Sequence, residues 1–416
     1  MKKIFLFILF FNTSLPAETV QLKLDEVAKK VIEQNYLVQE NATKVYQARK
    51  SIQQARGELL PKLNIWRIAK SILGGFFSPG SMIESVSDIA PFLVPNNWFR
   101  VQENKILYRA EKEAYRALWA NEILNAKTLY MRALYDKDLL KLIQEELGYL
   151  DTLVIIAKSR VISGVENQEV LQKFQIWQID LQEDVRRMKL LINEELRLIS
   201  YAVGEPVEDE IDIETIDLPD LININPIKYN DFAFRVLDSS AERRQQEYFL
   251  SVIPYLKKEV KYAFLGGSTI SRGVAGGVFD HLPIADSLGF GRAAQLDIIK
   301  GEEKKISLQK KGIEETLKRQ LNKVVKSHNS SIESFNGFKK RSSLTNKLLK
   351  QHFRRLRMGD EKLDLMDIMT TAQQHAVSRD KINNTQYEFL INKNRLERLI
   401  FHGDYSSKPV IMEEVE

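Results

Sequence analysis

The sequence predicts a mainly α protein with a small β part, built from duplicated long coiled-coil α-hairpins and two strand hairpins. Three observations lead there. Apolar residues recur every seven positions over stretches far longer than the roughly 11 residues of an ordinary helix. A lone glycine interrupts those stretches once in each half, at Gly164 and at Gly359. Short landmarks also return in the same order: Leu60-Pro61-Lys62-Leu63 is echoed by Ile253-Pro254-Tyr255-Leu256, and Ala90-Pro91-Phe92 by Leu282-Pro283-Ile284. An offset of 192–195 positions, kept by both of these pairs and by the two glycines, marks an internal repeat.

The elements follow in order. Met1 to Ala17 reads as a secretory signal peptide, with Lys2 and Lys3 as its basic start and Ile4 to Phe11 as its apolar core. The first repeat spans 18–215. Its opening helix carries Leu24, Val31, Val38, Val45, Ile52 and Leu59 on one seven-residue series, with Val27, Ala48 and Ala55 beside them, and stops at Leu60-Pro61. A strand hairpin is expected over 61–97, where Gly74, Gly75, Pro79, Gly80, Pro91 and Pro95 break any helical period. A long helix over 98–163 then carries Trp119, Ala126, Ala133, Leu140, Leu147, Val154 and Val161, with Leu129, Ile143, Leu150 and Ala157 as companions. At about 1.5 Å per residue it is a rod of about 100 Å. Gly164 supplies the left-handed turn of a hairpin tip. A return helix over 166–203 has Val170, Trp177, Leu191 and Leu198 as its expected seam, beside Phe174, Leu181 and Met188.

The second repeat spans 216–405: a helix over 226–251, a strand hairpin over 254–291, a long helix over 293–358 and a return helix over 363–401, before a tail at 406–416. In the second hairpin Lys257, Glu259 and Lys261 alternate with Val260, Tyr262 and Phe264, as in a strand that is wet on one face.

Several motifs resemble one family. The opening Leu22-Lys23-Leu24-Asp25-Glu26-Val27, the apolar-x-Asn centre at Ile32–Tyr36 and the closing Ala55-Arg56 to Leu59-Leu60-Pro61-Lys62-Leu63 are similar to the first helix of the TolC-type outer-membrane efflux proteins. Arg160 to Leu171 resembles that family's hairpin tip, and Tyr387 to Asn392 its last helix. The resemblance covers residues 20–405. It implies a homotrimer whose four strands per chain close a shared β-barrel in the outer membrane, above an α-barrel tunnel in the periplasm. Strand physics agrees, since four strands cannot close a barrel alone and open edges are not tolerated in lipid. The implied function is a passive exit duct for drugs or proteins in a tripartite efflux or type I secretion system. Its partners would be a periplasmic adaptor of the membrane-fusion type, an inner-membrane RND, ABC or MFS pump, and outer-membrane lipid. The alternative is a periplasmic coiled-coil docking relative whose barrel has decayed. A membrane-fusion adaptor fits less well, because this chain has two hairpins and none of the Gly- and Val-rich domains that flank the single adaptor hairpin.

Composition bounds the rest. The 416 residues are 44% hydrophobic and 28% charged, too apolar for disorder, and with no cysteine there is no disulfide and no thiolate metal site. The five histidines are dispersed and form no ligand spacing, and the glycines at 266–267 and 276–277 carry no phosphate-loop signature. No enzyme, cofactor or metal is expected. Residues 300–358 hold 17 Lys or Arg against 5 Asp or Glu. Export argues against nucleic acid as the partner of that excess. A basic tunnel wall would favour anionic cargo, and a solvated outer face is the plainer reading.

Within the resemblance, Asp364 and Asp367 match the acidic residues that constrict the tunnel. They stand three positions apart on one expected helix face, and the match needs a one-residue gap. Gly164, Val165, Gly359 and Asp360 match the tips that touch an adaptor, although Asp360-Glu361-Lys362 stands where the family prefers an apolar residue.

Overall fold

The computed structural model describes residues 20–61, 90–206, 211–268, 270–273, 278–279, 282, 291–360 and 362–406. The expected signal peptide, most of the first strand hairpin, much of the second one (including 283–290) and the tail beyond 406 lie outside them. Eight helices carry the described fold: α1 (Leu24–Gln34), α2 (Tyr36–Gly57), α3 (Pro95–Ile162), α4 (Gln168–Val203), α5 (Asn230–Ser239), α6 (Ala241–Tyr262), α7 (Arg292–Arg357) and α8 (Leu365–Leu399). The strands β1 (Val20–Leu22) and β2 (Ile211–Ile213) pair in parallel, Val20 opposite Ile211 and Leu22 opposite Ile213.

The rods are α3, of 68 residues, and α7, of 66. Each spans about 100 Å. Helices α4 and α8 return along them, and α8 also packs on α3, which joins the two hairpins side by side. Helices α1 and α2 lie on α3, while α6 wedges between α3 and α7. The heptad series explains the contacts: Val31, Val38, Val45, Trp119, Ala126 and Ala133 all lie in one core. The α4 seam differs from the expected one. Leu171, Phe174, Ile192 and Ile199 are buried, whereas Leu191 and Leu198 are exposed. The seam follows positions 192 and 199, one residue on, because α3 and the β pair cover that face.

A polar residue breaks the short helix of each repeat. Asn35 is buried, its Oδ1 accepts from the Val38 amide at 3.1 Å and its Nδ2 donates to the Ala202 carbonyl at 2.8 Å. It caps α2 and redirects the chain there. Ser240 does the same for α6, accepting from the Arg243 amide at 3.1 Å. The expected single helices over 22–63 and 226–251 are therefore two-piece elements.

The second strand hairpin needs a correction. Residues 254–262, read as strand from their alternation, continue α6 as helix through Pro254, and 263–265 form a 3-10 turn. Ile253, Leu256 and Val260 are buried against Leu107, Ala110, Ile299 and Ile306. That spacing of three and four is helical, and it outweighs an eight-residue alternation. At the end of the first hairpin, Pro91–Leu93 is a 3-10 turn and Pro95 opens α3, where proline has no need of its missing N–H. Residues 95–97 are thus helical rather than strand. No described helix is long and apolar enough to cross a membrane, which says nothing of a β-barrel.

Candidate functional site

The two hairpin tips stand together at one end of the rods. Both use one device. Gly164 has φ 75 and Gly359 has φ 74, in the left-handed region that favours glycine. The Val165 amide donates to the Arg160 carbonyl at 2.9 Å and the Gly164 amide to that of Val161 at 3.1 Å. In the second tip Asp360 donates to Arg355 at 3.2 Å and Gly359 to Leu356 at 3.1 Å. Each is a Schellman cap, which satisfies the last carbonyls of its rod.

The tips differ in chemistry. The first shows Val165 to solvent. The second is charged, with the Asp360 carboxylate 2.8 Å from the Arg355 guanidinium and accepting from the Lys362 amide at 3.1 Å. The hydrogen bond from Arg355 holds the Asp360 carboxyl below its ordinary range.

Sequence reasoning did not single out Arg160. Its guanidinium crosses from the first tip to the second, donating to the Leu363 carbonyl at 3.0 Å and to the Asp360 carbonyl at 3.1 Å. Beneath it Leu153, Ala157, Phe174, Leu365, Ile368 and Met369 form a shared apolar core. The signal was present, since an arginine just ahead of Gly164 belongs to the tip motif, but its target lies 200 residues away.

Asp364 and Asp367 are both exposed, as a constriction would require, and take different roles. Asp364 caps α8, its Oδ1 accepting from the Met366 amide at 2.8 Å. Asp367 lies in the first turn, where the helix dipole favours a carboxylate. The cap folds the Asp364 side chain back on its own backbone.

A second constellation lies at the opposite end. Arg100 and Glu103 of α3 meet Glu259 of α6 and Arg272 of the loop beyond it, and all four are buried. Arg272 Nε lies 3.3 Å from Glu103 and its second amino nitrogen 3.3 Å from Glu259, while Arg100 pairs with Glu259 and lies 3.7 Å from Glu103. Two cations and two anions alternate in a closed ring. The alternation across 257–264 predicts Glu259 on a wet strand face, whereas it is buried on a helix. Nearby, Asn96 donates to the Gly266 carbonyl at 2.7 Å and Asn104 to that of Ser271 at 2.9 Å.

Midway along the rods, Asp136 of α3, Glu195 of α4 and Asp380 of α8 gather beside Arg132 and Tyr135, whose hydroxyl donates to Asp380 at 2.8 Å. Partial burial, then the Asp136 charge, push the Glu195 carboxyl up to about 7. By the β pair, the Tyr130 hydroxyl is shared between the carbonyls of Leu22 at 3.0 Å and Glu214 at 2.7 Å, and burial pushes it up to about 12. Among the described residues no group of His, Asp and Glu could hold a metal ion.

No family model and no curated protein sequence matches the chain. Solved structures do. A membrane protein from Pseudomonas aeruginosa superposes with a TM-score of 0.72 at 13% identity, over 93% of this chain and 92% of its own. The CmeC outer membrane channel of Campylobacter jejuni gives 0.68 at 12% identity, over 91% of this chain and 85% of its own. The outer membrane protein VceC of Vibrio cholerae gives 0.68 at 11%, over 91% and 96%. The chain has the fold of the TolC-type outer-membrane channels. That likeness covers more than nine tenths of the chain. Identities this low speak to the TolC-type fold alone.

Proposed function

We propose that the chain is the exit duct of a tripartite efflux or type I secretion system, seated in the cell outer membrane as a homotrimer and reaching through the periplasm. The observation that carries this reading is the pair of joined hairpins, about 100 Å long, which share the TolC-type fold. An exposed apolar stripe on α4, formed by Ile176, Ile179, Leu190, Leu191 and Leu198, supports assembly, since a monomer would leave it in water. The duct performs no chemistry and draws its energy from a pump and an adaptor. The adaptor would meet the tips at Gly164, Val165, Gly359 and Asp360. Asp364 and Asp367 would form the acidic constriction, and replacing both with alanine should raise conductance and cargo leakage.

One observation favours a second reading, a periplasmic docking protein without a pore. Residues 254–262 are helical and are tied down by the buried ring of Arg100, Glu103, Glu259 and Arg272. Membrane fractionation separates the two. A duct stays in the outer membrane after alkali and urea washing, as a trimer that dissociates on heating, and conducts in planar bilayers. Release into the soluble periplasm would leave the docking reading in its place.

A further inference from the structure

The four helices of the two hairpins form a row. Helix α4 packs on α3, α3 on α8 and α8 on α7, whereas α4 is not packed along α7 or α8. The row therefore has two open edges, α4 and α7, and each has an outward side. Leu171, Phe174, Ile192 and Ile199 turn one side of α4 toward α3 and leave Ile176, Ile179 and Leu190 in water. On α7, Leu321, His328, Phe335 and Leu349 are buried on one heptad position, and Leu344 and Leu348 are left in water.

Because Arg160 ties the tips together, height along the rods can be counted from Gly164 on α4 and from Gly359 on α7. The outward apolar residues match in height. Ile179 lies 15 residues past Gly164 and Leu344 lies 15 before Gly359, with Ile176 at 12 and Leu348 at 11. The exposed charges match with opposite sign. On α7, Lys326, Glu333, Lys340, Lys347 and Arg354 lie 33, 26, 19, 12 and 5 residues from the glycine. On α4, Glu194 lies at 30, Lys189 at 25, Asp180 at 16 and Glu169 at 5. Every charge of the α7 series thus has an opposite charge within four residues, about 6 Å along the rods. Its one anion, Glu333, stands level with the α4 lysine. Among the described residues the side chains of Asp180, Lys189, Glu194 and the α7 series have no ion-pair or hydrogen-bond partner, while Glu169 has Lys173.

Rotation about an axis along the rods keeps every residue at its height. Copies in a tube built that way meet level with one another, head to tail, and such contacts close into a ring. Setting α4 of one copy on α7 of the next covers both apolar sides and places each unpaired charge beside its opposite. Setting α7 on α7 would instead bring cation against cation.

We infer that α4 and α7 are the two halves of one seam between copies of this chain. Leu344 and Leu348 of one copy sit against Ile179 and Ile176 of the next, and the alternating charges fix the register. The seam gives the basic excess of α7 a partner. The inference rests on the duct reading and names the surfaces by which the duct assembles.

The chain has no cysteine, so introduced thiols report the seam directly. The full-length double variant Ile179→Cys, Leu344→Cys, oxidised in outer membranes, should run as a covalent trimer on a non-reducing denaturing gel. It should link at least about tenfold more chain than Ile179→Cys, Ser330→Cys, whose two positions differ in height by 14 residues, about 21 Å. Asp180→Lys should lower the temperature at which the unlinked trimer dissociates, and adding Lys340→Glu and Lys347→Glu should restore it. A washed trimer in which Ile179→Cys, Leu344→Cys does not link overturns the inference and leaves the duct standing. Linkage by Ile179→Cys alone overturns it too, since α4 would then meet α4. An outer membrane without any trimer removes the duct reading and this inference with it.

Discussion

Both ends of the rod fasten the first repeat to the second with arginine, and they do it in opposite ways. At the tips the half-exposed Arg160 grips two backbone carbonyls of the other hairpin. At the far end Arg100 and Arg272 are buried with Glu103 and Glu259 in a closed ring. A half-exposed clamp on carbonyls can let go and be rehydrated at modest cost. A buried ring cannot open by one member without stranding a charge in low dielectric. The two ends of one rod thus have different resistance to opening, with the tip the looser.

The largest expected effect is at the ring. Arg272→Met leaves Glu103 and Glu259 sharing Arg100 alone, and should cost about 3–5 kcal/mol in urea unfolding. A loss below about 1 kcal/mol would mean that water reaches the ring, and the contrast between the ends would collapse. The glycines rank next. A Cβ on Gly204 would lie 2.3 Å from the Gln34 carbonyl oxygen, in a backbone already at φ 76. Gly204→Ala should therefore cost at least about 3 kcal/mol. At Gly164 and Gly359 a Cβ meets nothing within 4 Å. There alanine should cost only the left-handed strain, about 1–2 kcal/mol, and equally at both tips. Unequal losses would show that the two Schellman caps are not equivalent.

How much of this could be read beforehand follows from how local each signal is. Val31, Val38, Val45 and Trp119 were legible because a seven-residue period repeats many times over and each repeat reinforces the last. Gly164 and Gly359 were legible because one conformation explains them. The alternation across residues 257–264 misled, being short enough to mimic a strand while Ile253, Leu256 and Val260 already spelled out a helix. Leu191 and Leu198 misled for another reason: α4 has two apolar stripes, and sequence cannot say which one faces α3 within the chain. The β1–β2 pair, three residues on each side, gives no periodic signal at all. Arg160, Arg100 and Arg272 act on partners far along the chain, so only the fold reveals them.

The tip clamp is the smaller test of the contrast. Arg160→Ala removes two charge-assisted hydrogen bonds and should cost about 1–2 kcal/mol, less than Arg272→Met. Its effect should be local. Amide hydrogen exchange should speed up around 358–366 and stay unchanged at 96–104, beside the buried ring. Faster exchange at both ends would mean that the rod transmits the opening, and the ends would no longer be independent.

The smallest effect lies between the ends, where Glu195 faces Asp136 and Arg132 from α3 and Glu194 from its own helix, while Asp380 from α8 acts on Asp136. Its folded-state carboxyl is raised to about 7 from an ordinary value near 4.5. Between those values the folded chain holds a proton that the unfolded chain gives up. Stability from this group is present at low pH and is lost as pH rises through about 7. Because the site is partly exposed, solvent screens the effect and a fraction of the full linkage is expected. The urea midpoint should fall between about pH 5 and about pH 8, and Glu195→Gln should flatten that slope. A slope untouched by the substitution would place the proton on Asp136 instead, the other half of the pair. A variant that is also more stable at the higher pH would show that carboxylate repulsion strains the middle of the rod, so that the tips open from a body already loosened above neutrality.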